Sequence, residues 1–204
     1  MLFTFEGIDG SGKSSQISLL EARLRASGRK VLAFREPGGT EISESVRSIL
    51  LDPNLQVGPV AEMLLFSAAR AQLVAERIRP ALESGRVVLC DRFYDSTTAY
   101  QGAGRGIADP DWIISLHRVV TGGLVPDRTY WIDISPKSAQ RRMGDMPRDR
   151  MEIEDAAFYG RVAECYRQLA ADEPQRFVRV DGERSIDDVQ KAIWSDMRTV
   201  LGID

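Results

Sequence analysis

Leu2-Phe3-Thr4-Phe5-Glu6-Gly7-Ile8-Asp9-Gly10-Ser11-Gly12-Lys13-Ser14 is the stretch that decides the fold of this chain. Residues 2–5 are short, apolar and β-favouring, and they end at Glu6-Gly7. Residues 7–14 match G-x-x-x-x-G-K-[ST]. Ile17, Leu19, Leu20 and Leu24 then recur at helical spacing as far as Gly28, a helix stop. In a strand–loop–helix context, glycines let backbone N–H groups turn inward around phosphate oxygens, and the helix adds its positive end. Lys13 would reach the β and γ phosphates, and the Ser14 hydroxyl would ligate Mg²⁺. Gly7, Ile8, Asp9, Gly10, Ser11, Gly12, Lys13 and Ser14 therefore form the expected ATP-binding loop. The loop implies nucleotide binding without selecting a GTPase, an ATPase, a kinase or a synthetase. Asp9 needs a reason to stand beside phosphate. A solvated turn aspartate is the plain one, and the sharper one is that it orients an arginine or a metal near the transferred group.

Working outward, Val31-Leu32-Ala33-Phe34 reads as a second buried strand, broken by Pro37-Gly38-Gly39-Thr40. Helical patterns follow over about 43–51 and 60–82. Val87-Val88-Leu89-Cys90 is a third strand, closed by Asp91-Arg92, and a polar, glycine-containing stretch runs over 94–106. A helix is expected over 112–120, a fourth strand over 129–133, a fifth over 177–180 and a final helix after Ser185. Short apolar strands separated by amphipathic helices predict an α/β fold of the P-loop NTPase kind, a five-stranded parallel sheet with helices on both faces. Ligands in such sheets bind at the carboxyl ends of the strands. We expect one domain over 1–204 with a small mobile lid at about 141–152.

The 204 residues are 43% hydrophobic, enough for a full core, and the net charge of -3 opposes a general nucleic-acid coat. Cys90 and Cys165 lie far apart without metal-ligand spacing, so a reduced cytoplasmic protein is expected. No charged-then-apolar leader opens the chain and no run of about 18 apolar residues occurs, so no membrane span is expected.

Arg35-Glu36-Pro37-Gly38-Gly39-Thr40 follows the second strand, and a turn explains Pro-Gly-Gly but not the arginine and glutamate. Asp91 stands where a nucleotide-binding fold often places its metal-organising carboxylate, and Arg92 beside it is poised as a bidentate phosphate clamp. Ordinary surface ion pairs are the competing explanation. The phosphate loop, R-E-P-G-G-T, Asp91-Arg92-Phe93 and Tyr100-Gln101-Gly102, in this order, resemble the bacterial thymidylate kinases through nearly the whole chain. The resemblance implies ATP-dependent phosphorylation of dTMP to dTDP with Mg²⁺ at Ser14 and Asp91. It implies that Phe66 stacks on thymine and Arg70 bonds the base edge, four residues apart on one helix face. Without the resemblance Phe66 reads as a core aromatic. Arg47 and Arg92 correspond to clamps on the dTMP phosphate, Thr97 and Gln101 to base contacts, and Tyr100 to the residue crowding the sugar 2′ position. Glu36 joins the substrate-binding set. A homodimer is also implied.

Arg141, Arg142, Arg148 and Arg150 fall within ten residues, interrupted by Gly144 and Pro147. A solvated basic helix face is the usual explanation of such a cluster. In the resembled family the arginine that stabilises the transferred phosphoryl comes from the loop or from the lid. Gly10 stands where the eukaryotic type carries arginine, so the resemblance implies a lid-supplied arginine, with Arg148 and Arg150 as candidates and Arg141 packing on adenine. The expected catalytic set is thus Lys13, Asp9, Arg92, Arg148 and Arg150. The acceptor is already an anion, so alignment and charge stabilisation suffice without a strong base. His117, the single histidine, lies outside every motif and reads as structural. Two rivals stand beside this reading. A deoxynucleoside kinase would use Glu36 as a base toward a hydroxyl. A nucleotide switch or non-catalytic binding module would bind without turnover, although no Asn-Lys-x-Asp guanine signature occurs.

Overall fold

A computed structural model describes residues 1–107, 109–144, 150–151 and 154–203. The chain opens with β1 (Leu2–Glu6), the glycine loop and α1 (Lys13–Ala26), then β2 (Val31–Arg35) and α2 (Glu41–Leu51). Helix α3 (Pro59–Leu73) runs through a wider π-helical stretch, Val74–Ile78, into α4 (Arg79–Glu83). After β3 (Val87–Asp91), the short α5 (Tyr94–Thr97) continues as a second π-helical stretch, Thr98–Gly104. There follow α6 (Pro110–Thr121), β4 (Arg128–Asp133), α7 (Pro136–Met143), α8 (Ala156–Asp172), β5 (Phe177–Asp181) and α9 (Ile186–Leu201). The five strands pair in the order β2-β3-β1-β4-β5, every pair parallel.

The strands are apolar on both faces because helices cover both. Alternate residues Phe3, Phe5, Leu89, Tyr130 and Ile132 meet Ile17, Leu20 and Leu24 of α1 and Ile193 and Met197 of α9. On the opposite face Leu2, Val88 and Cys90 pack under Leu73, Val74 and Ile78, and Trp131 packs under Phe158, Val162 and Tyr166. Cys90 and Cys165 are both free thiols. Among the described residues no helix is long and apolar enough to cross a membrane.

Two expectations change. Helix α2 starts two residues early because the Thr40 side chain accepts from the Ser43 N–H and caps it. The stretch at 94–106, read as polar and glycine-containing with no helix assigned, is largely helical. Its polar side chains are buried by neighbouring elements, and its glycines let those neighbours in: a Cβ on Gly104 would stand 2.6 Å from the Phe158 ring of α8.

Register places the motifs. Phe5 pairs with Asp91 and Asp91 with Arg35, so the segments leaving β1, β3 and β2 emerge side by side at the carboxyl edge of the sheet.

Candidate active site

The three segments line one cleft of about 800 Å³. Asp9, Gly10, Ser11, Gly12, Lys13 and Ser14 form one end, and Arg47, Phe66, Arg70, Thr97, Tyr100 and Gln101 form the other. Asp91 and Arg92 lie between them.

Lys13 opens α1, and its ammonium donates to the carbonyls of Gly7 and Ile8 at 3.1 Å each. Burial, helped by the nearby Arg92 charge, lowers its pKa. The Ser14 hydroxyl donates to Asp91 Oδ2 at 2.6 Å. Among the described residues no cluster of three His, Cys, Asp or Glu side chains forms a metal cage. A hydroxyl beside one carboxylate suits Mg²⁺ nonetheless, since that ion takes few protein ligands and completes its shell with water and phosphate oxygens.

Asp9 faces Arg92, Oδ1 to Nη2 at 2.6 Å. Burial raises the Asp9 pKa, but the Arg92 and Lys13 charges outweigh it and the net shift is downward. Arg92 also donates to Gly7 O and Ser96 Oγ, each at 3.0 Å, and lies 4.9 Å from the Tyr100 ring centre. Its φ of 69° is the one positive value at a non-glycine among the described residues. Such backbone strain persists only where surroundings fix it. Here Glu6 does so, accepting from Phe93 N–H at 2.8 Å and Ser96 Oγ at 2.5 Å.

At the other end Arg70 is 2% exposed and donates to Glu36 Oε2 at 2.7 Å, Thr97 Oγ1 at 2.9 Å and the Phe93 carbonyl at 3.1 Å. Burial raises the Glu36 pKa, against the attraction of Arg70, and among the described residues its buried Oε1 has no partner. Arg47 donates to the Pro37 carbonyl at 3.0 Å. Gln101 donates to Glu62 Oε1 at 2.9 Å.

The lid arginines divide. Arg142, not Arg141, lines the cleft, donating to Gly182 O at 2.7 Å and toward Ser11 O at 3.5 Å. Arg141 is not among the lining residues and reaches Ser138 Oγ at 3.4 Å. Helix phase accounts for this: Ser138 and Ala139 form the buried face of α7, and 142 lies on that face. Helix α7 presses on the phosphate loop so closely that a Cβ on Gly10, at φ 78°, would stand 2.9 Å from the Ala139 carbonyl. Arg150 is not brought to the phosphate loop. The buried carboxylate of Glu62 takes it at 2.6 Å, and Leu50 O accepts from its Nε at 2.8 Å. Arg148 lies outside the described residues, as does half of the expected lid. His117 is buried, bonded to Thr98 Oγ1 at 2.8 Å, and held to a pKa of about 3 mainly by desolvation.

The thymidylate kinase family model matches residues 5–193. The chain belongs to the thymidylate kinase family. It is 46% identical to a thymidylate kinase of Deinococcus radiodurans over 196 residues, spanning 96% of this chain and 95% of that one. A Thermoanaerobacter thymidylate kinase is likewise 46% identical, with 97% of each chain covered. The crystal structure of thymidylate kinase from Ehrlichia chaffeensis superposes with a TM-score of 0.80 at 33% identity, covering 97% of this chain and 98% of that one. Sequence reasoning passed over Glu6 and Glu62 as site components, and it placed Arg142 in the lid cluster without giving it a role. Glu6 had a signal, a lone charge ending an apolar strand. Glu62 in its apolar helix and Arg142 beside Arg141 had none until helix phase was known.

Proposed function

We propose that this member of the thymidylate kinase family transfers the terminal phosphoryl group of ATP to the phosphate of dTMP, releasing ADP and dTDP. One observation carries the reading. A single cleft is lined both by the phosphate loop and by Phe66, Arg70, Thr97 and Gln101, and Arg92 joins the two sets, bonded to Asp9 of the loop and resting on Tyr100. The loop N–H groups and Lys13 hold the donor phosphates. Arg92 and Arg47 hold the acceptor phosphate, with Asp9 keeping the Arg92 guanidinium in place. Phe66 stacks on the thymine while Arg70, Thr97 and Gln101 read its edge, and Tyr100 fills the space a ribose 2′-hydroxyl would need. The buried, unpartnered Glu36 Oε1 offers an acceptor for a donor on the substrate. Ser14 and Asp91 would hold Mg²⁺, which supplies charge neutralisation between the phosphates when bound.

Transfer forms a P–O bond to an acceptor that is already anionic and breaks the bond to ADP, so no base is needed. The work is alignment and spreading of negative charge. Arg142, beside Ser11, is the described lid cation best placed to take part, with Arg148 and Arg150 as the alternatives. A deoxynucleoside kinase would use Glu36 as a base toward a hydroxyl, whereas Arg47 and Arg92 together in this cleft suit an acceptor that is itself a phosphate. We also propose a cytoplasmic homodimer. Two free thiols suit a reducing compartment, and α3, which carries exposed Val60 and Leu64, packs beside α6, which carries exposed Ile114 and Val119. The test is a coupled ADP-release assay with dTMP, other nucleoside monophosphates and thymidine. Strong dTMP-dependent release is expected. Preference for thymidine, or no dTMP dependence, would overturn the reading.

A further inference from the structure

Glu62 is 0% exposed in the first turn of α3, on the buried face of that helix. Its carboxylate collects four donors. Arg105 contributes two, at 3.1 and 3.2 Å, Arg150 one at 2.6 Å, and the Gln101 amide one at 2.9 Å. Two guanidinium groups on one buried carboxylate leave it an anion, and an anionic carboxylate only accepts hydrogen bonds. The Gln101 amide therefore has no choice of orientation. Its NH₂ must face Glu62, and its carbonyl oxygen is the group left for the cleft that Gln101 lines.

Two other residues of the pocket wall, Arg70 and Thr97, have the opposite polarity. Arg70 carries donors only. Thr97 Oγ1 already accepts from Arg70 Nη1, so its hydroxyl hydrogen is free to donate. Together Gln101, Arg70 and Thr97 thus present one acceptor and two donors. Their complement is an imide edge, an N–H between two carbonyls, as in thymine and uracil. Cytosine offers an acceptor nitrogen beside an amino group and meets the wrong polarity at both points.

We propose that Glu62 is a positioning residue for base selection: by fixing the Gln101 amide it makes the pocket accept imide pyrimidines and reject cytosine. This rests on the reading of the cleft as the dTMP site. It extends that reading to a residue buried behind the pocket wall. A neutral amide at position 62 can donate or accept, so it would release Gln101 to rotate and offer its NH₂ to a cytosine ring nitrogen.

The experiment compares kcat/KM for dTMP and dCMP in the wild type and in Glu62→Gln, with KM for ATP measured alongside. The dTMP-over-dCMP ratio is expected to fall about tenfold, a typical cost of one misdirected polar contact. The change should fall mainly on KM for dTMP, with KM for ATP unmoved. A ratio is insensitive to the fraction of folded enzyme, so a merely structural role for Glu62 would leave it alone. If Glu62→Gln fails to fold, Glu62→Asp keeps the charge for Arg105 and Arg150 while withdrawing from Gln101, and the same fall is expected. Wild-type turnover of dTMP with an unchanged ratio in the variant would overturn the proposal. Absence of dTMP turnover in the wild type would instead overturn the functional reading beneath it.

Discussion

At the scale of single residues, the site works by pinning charges in place from behind. Glu6 ends β1 directly under the phosphate loop and is fully buried. Phe93 N–H, Ser96 and Tyr166 all donate to it, which favours the anion. Burial and the Asp95 charge oppose this and prevail, lifting its pKa to about 7. The sign of the consequence is fixed. In the unfolded chain this carboxyl titrates near 4.5, so between 4.5 and 7 the folded state binds the extra proton. Its contribution to stability is complete below about 4.5 and is lost as pH rises through about 7. Glu6→Gln cannot titrate. Denaturant unfolding of wild type and variant at pH 5 and pH 8 should show the variant gaining on the wild type as pH rises, by on the order of 2 kcal/mol. A pH-independent difference between the two would contradict the shift. The motif around Glu6 is legible because a phosphate loop is a local pattern. The role of Glu6 is not, because its donors come from 87 to 160 residues away.

At the scale of elements, the strands and α1 could be read from the sequence because burial on both faces leaves uninterrupted apolar runs. The helical turns over 94–104 could not, since Thr97, Tyr100 and Gln101 lie on buried faces and mimic a polar loop. Helix α7 was hidden for a related reason. Its mean character is polar, and its place is fixed by its Ser135 cap, by burial of Ala139 and by the close fit of Gly10 against Ala139. That fit also leaves no room for an arginine at position 10, in keeping with the proposal that Arg142 of α7 serves the donor phosphates. A side chain there would collide with the helix that carries Arg142. Arg142→Ala is therefore expected to reduce kcat/KM for ATP at least tenfold, in line with the loss of a charge-assisted bond of about 1.5–3 kcal/mol. Arg150→Ala, which leaves Arg105 to hold Glu62, is expected to act mainly on thermal stability. Steady-state kinetics with ATP varied at saturating dTMP distinguish the two. A greater catalytic loss in Arg150→Ala would transfer the role to that residue.

At the scale of the whole molecule, a buried polar girder ties the acceptor pocket to the far side of the sheet. Arg176, just ahead of β5, grips Asp95 of α5 with two bonds, at 2.7 and 3.0 Å, and also donates to Thr129 of β4 at 2.7 Å. Its guanidinium lies between Phe177 and Tyr94, 4.6 and 5.4 Å from their ring centres. Asp95 is 1% exposed, and burial raises its pKa against the pull of Arg176. Such a pair contributes little net stability compared with apolar packing, yet removing one partner strands the other charge. Arg176→Met keeps much of the side-chain volume and leaves Asp95 uncompensated. A loss of about 3–5 kcal/mol is expected, visible as a fall in Tm of roughly 10 °C for a chain of this size. Asp95 is followed directly by Ser96 and Thr97, so a loosened α5 would be felt in the pocket before global unfolding. KM for dTMP should rise while KM for ATP stays put, because the phosphate loop is held by β1 and Glu6. A variant with unchanged Tm would contradict the view that Arg176 compensates a buried Asp95 charge.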